Sequence, residues 1–281
     1  MSFKKLATCL TATLFMLSML ATTVFAADES FKVDWEKGVI RAKGIGAGKS
    51  TTKNKGLKRA QARRAAMMDA QRNLAEAVKG VRVTSESRMV DLVLADDRVA
   101  TRVDAIINNM TEVSGQYMDD ETYEIILEMP LFGTRDSLAE AAFLPFKDEP
   151  KVSFPAPVNT TVINQPTIVN NDYTGLIIDC SGMDINCVMS PVILNADGTK
   201  IYGHQNLDYD KIIVNGMASY ADSVSDQISR ARAGNNPLIV KAVRLKDLNA
   251  NPVVSVADAD KILAANQHDK FLENCAVVFV K

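Results

Sequence analysis

Only two histidines, His204 and His268, and one tryptophan, Trp35, occur in the 281 residues. Histidine-based metal sets and Ser-His-Asp arrangements therefore have little to draw on, and neither G-x-S-x-G nor H-E-x-x-H is present. Gly44-Ile45-Gly46-Ala47-Gly48-Lys49-Ser50 has the look of a phosphate loop. A Walker A loop, however, needs a further glycine, five residues ahead of the glycine of its Gly-Lys-Ser, so that backbone amides wrap phosphate. Lys43 stands there. The glycines also run G-x-G-x-G and miss the dinucleotide pattern, so they are expected to let a strand bend and meet a loop. Adjacent acids occur as Asp96-Asp97, Asp119-Asp120, Asp208-x-Asp210 and Asp258-x-Asp260. At turns and helix starts such pairs serve as caps and solvated groups. Asp197-Gly198 lacks the other acidic positions of a calcium loop. No catalytic, cofactor-binding or metal-binding residues are expected.

Cys180, Cys187 and Cys275 are the cysteines of the chain beyond its first residues. Cys180 and Cys187 flank a short loop containing Gly182 and form the candidate disulfide, which would contribute about 2.5 kcal/mol through loop closure. A bridge using Cys275 is the alternative, and a buried free thiol in its apolar strand is the bland reading. The spacing fits no zinc motif.

Charge is unevenly distributed although the total is only −2. From Arg41 to Arg82 there are 12 Lys and Arg against Asp69 and Glu76; from Val83 to Pro150 there are 15 acids against five basic residues. The exposed face carrying Arg59, Arg63, Arg64 and Arg72 is a candidate contact surface for an anionic partner. The preferred reading is that the two stretches balance each other within one domain. Without interleaved aromatics, no nucleic-acid partner is expected.

The start of the chain reads as an export leader. Lys4 and Lys5 precede an uncharged apolar run, Leu6 to Thr23, and Val24-Phe25-Ala26 fits the small-x-small cleavage rule. Cleavage after Ala26 is expected, giving a periplasmic or otherwise exported chain. Ala27, where a lipid-anchored protein needs cysteine, implies no lipid anchor. No integral membrane span is expected in the mature chain.

The composition, 47% hydrophobic and 23% charged, is that of an ordinary globular protein. Five of the nine prolines fall at Pro145, Pro150, Pro155, Pro157 and Pro166. A Pro/Asn/Thr-rich linker over 146–172 is therefore expected between domains at 28–145 and 173–281. The fold class is α+β: two small α/β-sandwich domains. In the first, a hairpin turns at Lys37-Gly38. A helix runs from Leu57 to Val78 with Leu57, Ala60, Met67, Ala70, Leu74, Ala77 and Val78 as its inward stripe. A short strand, Val81 to Ser85, follows. A second helix carries Val99, Val103, Ile106 and Ile107, and strands flank Met118-Asp119-Asp120-Glu121. In the second, strands are expected at Thr174–Cys180, Val188–Leu194, Lys200–Tyr202, Pro237–Leu245 and Ala276–Val280. Helices are expected from Met217 to Arg232 and after Ser255.

Ile40-Arg41-Ala42-Lys43-Gly44-Ile45-Gly46, then Ala60-x-x-Arg63-Arg64-Ala65-Ala66-x-x-Asp69-Ala70, Leu74-Ala75-Glu76, Gly80-Val81-x-Val83 and Asp120-Glu121-Thr122-Tyr123-Glu124, carry a resemblance. Residues 31–133 resemble the LPP-type small bacterial envelope lipoproteins and the N-terminal domain of flagellar assembly protein T. The resemblance implies a non-enzymatic α+β domain working at the cell envelope or flagellar base, with envelope or flagellar basal-body proteins as partners. No family site residues come with it. The alternative is an exported small-ligand binder or hydrolase with a site between the two domains.

Overall fold

The computed structural model describes residues 29–110, 112–133, 136–158 and 172–281. The leader through Ala26 and its cleavage point lie outside these residues, as does 159–171 of the expected linker. Among the described residues, no helix is long and apolar enough to cross a membrane.

The architecture is α+β, in two units. In the first, β1 (Phe31–Asp34), β2 (Val39–Ala47), β3 (Glu112–Tyr117) and β4 (Thr122–Pro130) form an antiparallel sheet in the order β1-β2-β4-β3. Strict alternation of buried and half-buried residues along β4 gives the sheet one covered face. That face is covered by α1 (Lys55–Gly80), which starts at Asn54, whose side chain accepts from the Leu57 N–H. Its buried stripe is Ala62, Ala66, Ala70, Leu74, Ala77 and Val78. The helix therefore rolls away from the expected stripe in its first half, where Leu57 and Ala60 are exposed. The reason lies on β2. A Cβ added at Gly44 or Gly46 would collide with the backbone of Ala66 and its neighbours, and one at Gly48 with Lys58. Glycines on the strand and alanines four apart on the helix bring the two backbones together, and this close fit selects the stripe. The glycines do not bend β2, which continues as one strand through Gly46.

The short strand expected at Val81–Ser85 is reduced to one bridge, Arg82 to Arg88. Then come α2 (Met89–Ala95) and α3 (Asp97–Asn109), the latter capped by Asp96 and burying Val99, Val103, Ile106 and Ile107. A short α4 (Leu138–Ala142) ends the unit.

The second unit holds two four-stranded sheets. One is wholly parallel, in the order β8 (Ser219–Ala221), β12 (Val277–Val280), β5 (Gly175–Asp179), β9 (Pro237–Lys241). Its two middle strands are almost continuously apolar, as burial on both faces requires. The other is mixed, in the order β10 (Arg244–Lys246), β11 (Asn251–Val254), β6 (Ile193–Asn195), β7 (Lys200–Tyr202). Helices α5 (Tyr209–Asn215), α6 (Gln227–Ala233) and α7 (Val256–Asp269) connect them. Ser255 caps α7, and its hydroxyl and Asp258 bond each other.

The helix expected over Met217–Arg232 is a correction. Its first part is the buried strand β8, and only Gln227–Ala233 is helical. A short apolar run does not reveal its period, and burial beside β12 decides for strand. The linker also needs correcting in its described part. The Val152 N–H donates to the Gln205 carbonyl, Asn206 donates to the carbonyls of Val152 and Ser153, and the Val158 N–H donates to Asp260. Residues 146–158 are thus a strap fastened to the second unit.

The units are not separate beads. The Met189 and Ser190 N–H groups donate to the carbonyls of Arg82 and Val83, and the Gly133 N–H donates to Ile213. Trp35 meets Tyr220 edge-on at 5.8 Å, and Gly216, at φ +71°, faces the Phe132 ring. One buried cluster runs from Ile40 and Leu74 through Phe143 to Tyr220 and Phe279.

Candidate functional site

Where the strap leaves the first unit, a cleft of about 180 Å³ opens against the second. A single 3₁₀ turn, Leu144–Phe146, supplies one wall; a second, His204–Asn206, and the start of α5 supply the other. The Phe146 and His204 rings lie 4.7 Å apart, tilted by 39°. Glu149 Oε2 is 3.2 Å from His204 Nε2 and accepts from Gln205 Nε2 at 3.1 Å. The Lys147 ammonium stands 5.9 Å above the Tyr209 ring. Burial, then the neighbouring charge of Asp210, pushes the Tyr209 hydroxyl up from its usual value. Asp208, also in the lining, accepts from the Asp210 and Lys211 N–H groups as the cap of α5.

A carboxylate-oriented imidazole is half of a general-base arrangement, but no serine, threonine or cysteine is among the lining residues. Metabolite pockets typically enclose about 300–1,000 Å³. This cleft is nearer the size of one inserted side chain. The sequence reading places Glu149 in the linker and gives His204 no partner, so the pair is not visible in it. The available signal was Phe143 and Phe146 beside Pro145, two aromatics that a free spacer would not carry.

The basic face of α1 is largely occupied from within. Arg63 donates twice to Glu112 Oε2, at 3.1 and 2.6 Å, and Glu112 Oε1 accepts from the Tyr123 hydroxyl at 2.5 Å. Arg72 pairs with Asp69 at 2.6 Å, and Lys58 with Glu121. Arg59 lies 5.2 Å over the Tyr117 ring, whose hydroxyl donates to the Arg59 carbonyl at 2.6 Å. Arg64 is exposed and forms no ion pair among the described residues. On the opposite sheet face, Arg41 meets Glu128 at 2.6 Å and Lys43 meets Glu124 at 3.0 Å. The basic and acidic stretches therefore pair across the domain, at Arg63–Glu112 above all.

The expected Cys180–Cys187 bridge is not formed: Cys180, Cys187 and Cys275 are free thiols. The loop between the first two is held away, with the Asn186 N–H and Nδ2 donating to the carbonyls of Asn249 and Leu248. Val188 is clamped by the Tyr220 hydroxyl, which donates to its carbonyl and accepts from its N–H. Burial, helped by Asp179, pushes the Cys180 thiol up to about 12, and burial pushes Cys187 up to about 11. The paired acids serve as local caps: Asp96 accepts from the Arg98 N–H, and Asp120 from the Thr122 N–H and hydroxyl.

The second unit is the part for which a comparison returns a likeness. Residues 175–281 match the family model of the second domain of Treponema pallidum Tp0624. The matched segment begins with the first residue of β5 and takes in both sheets and α5 to α7. It contains the His204 side of the cleft and all three thiols, while Phe146 and Glu149 come from outside it. A comparison with curated proteins found no match.

Proposed function

We propose that this is a non-enzymatic exported envelope protein, periplasmic and without a lipid anchor, that acts as a structural or assembly component through protein–protein contacts. The observation that carries this reading is the cleft. Its volume of about 180 Å³ suits a partner's side chain better than a metabolite, and its lining holds no serine, threonine or cysteine. The leader-like start and the resemblance of residues 31–133 to envelope proteins support the location. The narrower version has flagellar basal-body proteins as partners.

Crosslinking in intact cells followed by recovery of the chain is the test. Enrichment of envelope or basal-body proteins is expected; recovery of the chain alone counts against the proposal. Loss of motility in a deletion strain would favour the flagellar version, and normal motility would leave only the general one. The double variant Arg59→Ala with Arg63→Ala separates the two uses of the basic face. With internal pairing, its melting temperature falls modestly, since exposed pairs contribute no more than about 1 kcal/mol each, and association is kept. A face that grips an anionic partner would instead leave stability intact and lose association, increasingly so with salt.

The position of the cleft between the units favours a second reading, an exported small-ligand binder. Lys147, Lys151 and Gln205 line it and would hold a small anion. A thermal-shift screen against small anions and glycans tests this. A ligand at 100 times its dissociation constant stabilises the fold by about 2.7 kcal/mol, and a flat screen removes the reading.

A further inference from the structure

His268 and Asp269 close the last turn of α7, and Asp172 lies just before β5, 96 residues earlier in the chain. One ligand atom from each of these three side chains lies within 4.8 Å of the other two. Asp269 is the anchor. Its side chain is only 8% exposed, Oδ2 accepts from the Tyr173 N–H at 3.0 Å, and Oδ1 lies 2.5 Å from His268 Nδ1. Asp172 is held by its backbone. Its carbonyl accepts from Asn236 Nδ2 at 3.2 Å, and Thr174 and Asn236 exchange two further hydrogen bonds. Among the described residues, no lysine or arginine forms an ion pair with either carboxylate, and His268 pairs with Asp269. The carbonyl end of α7 adds further negative potential at this point.

We propose that Asp172, His268 and Asp269 bind a first-row divalent transition ion, zinc being the probe of choice. One imidazole nitrogen and two carboxylate oxygens form a donor set that zinc accepts, with water completing its four positions. Calcium and magnesium take oxygen ligands, and the imidazole selects against them. Metal–ligand bonds of about 2.0–2.2 Å place neighbouring donors roughly 3–3.5 Å apart. The exposed side chains of His268 and Asp172 can turn to meet that spacing, while Asp269 stays fixed. The Tyr173 N–H on the second oxygen of Asp269 does what an outer-shell hydrogen bond does at a metal site: it orients the ligand. Bound metal would clip the entry to β5 onto the end of α7, joining the point where the chain enters the second unit to its longest helix. This inference is independent of the envelope reading and stands or falls separately.

Calorimetric titration of the full chain with zinc, in chelator-free buffer near pH 7.5, tests it. One saturable zinc per chain with micromolar affinity is expected, together with a raised melting temperature. His268→Ala, which removes an exposed side chain, should weaken binding by about tenfold or more with the fold intact by circular dichroism. Asp269→Asn should do the same, and excess calcium or magnesium should not compete. X-ray absorption should show nitrogen and oxygen ligands near 2.0–2.2 Å. Absence of saturable binding, unchanged affinity in His268→Ala, or a sulfur shell near 2.3 Å assigning the metal to the thiols would each overturn the proposal.

Discussion

Glu112 accepts from the Tyr123 hydroxyl through one carboxylate oxygen and from the Arg63 guanidinium through the other. Burial alone would push its pKa up, but these two donors outweigh burial and hold it below the ordinary glutamate value. A carboxyl whose folded pKa is depressed stabilises the fold above its unfolded value, about 4.3, and that stability is lost as pH falls through the folded value. Stability should therefore decline as pH drops below about 4.3, and Glu112→Gln should flatten that decline while lowering stability at neutral pH. Denaturant midpoints measured from pH 7 to pH 3 check both. The thiols make a second prediction at this scale. With Cys180 at about 12 and Cys187 at about 11, almost no thiolate exists near pH 8, so the native chain should react slowly with thiol reagents. After unfolding without reductant, residues 27–281 should titrate as three thiols; one thiol would restore the disulfide reading.

The pairing of β2 with α1 turns on what is missing from the strand. Gly44 and Gly46 sit where any Cβ would strike the backbone of Ala66 and its neighbours, at backbone angles that other residues also adopt. The need is for space, not for unusual dihedrals. Gly46→Ala must push the helix off the sheet and should cost about 3 kcal/mol, in the upper range for overpacked cores. Gly80, at the end of the same helix, has open space around it. Gly80→Ala should be neutral or stabilising by up to about 1 kcal/mol, since alanine is the better helix former. Chemical denaturation of the two variants side by side decides between space and conformation. Equal destabilisation would remove the close-packing account. At the other end of the chain's order, Arg232 of α6 donates to the carbonyls of Asn215 and Gly216, satisfying the last turn of α5. Burial lowers its pKa, and no acid pairs with it among the described residues.

Across the whole molecule, the apolar interior ignores the boundary between the units. Trp35 of the β1–β2 turn packs on Tyr220 of β8, which packs in turn on Phe279 of β12 at 5.7 Å. Lys281 bridges Glu36 at 2.8 Å and Asp222 at 3.1 Å, and these two carboxylates hold its ammonium above the usual range. Shared interior and shared backbone hydrogen bonds connect the two units, and the two are expected to unfold together. Thermal unfolding should give a single transition, with the fluorescence of Trp35, the sole tryptophan, coinciding with loss of far-UV ellipticity. Two resolved transitions would show that the units unfold independently. By the same logic, residues 173–281 expressed alone should expose the apolar surface now covered by Phe132 and Trp35, and should melt lower than the whole chain.

Local patterns carried much of this architecture. The 3–4 spacing of α1, the alternation of β4 and the cap at Ser255 are all written in neighbouring residues, because helix and strand periods and capping act over a few positions. The α+β class was legible for the same reason. Contacts between distant segments decided the rest. Whether Met217 to Ala221 is helix or strand depends on β12, nearly 60 residues away, because a short buried run has no readable period. The true stripe of α1 depends on glycines of β2 that admit the helix backbone. The strap's proline content signals extension, yet only its bonds to Gln205, Asn206 and Asp260 make it part of the second unit. The cleft and the Asp172–His268–Asp269 cluster each join residues at least 50 positions apart, so folding alone brings their charges together, and no spacing in the chain announces them.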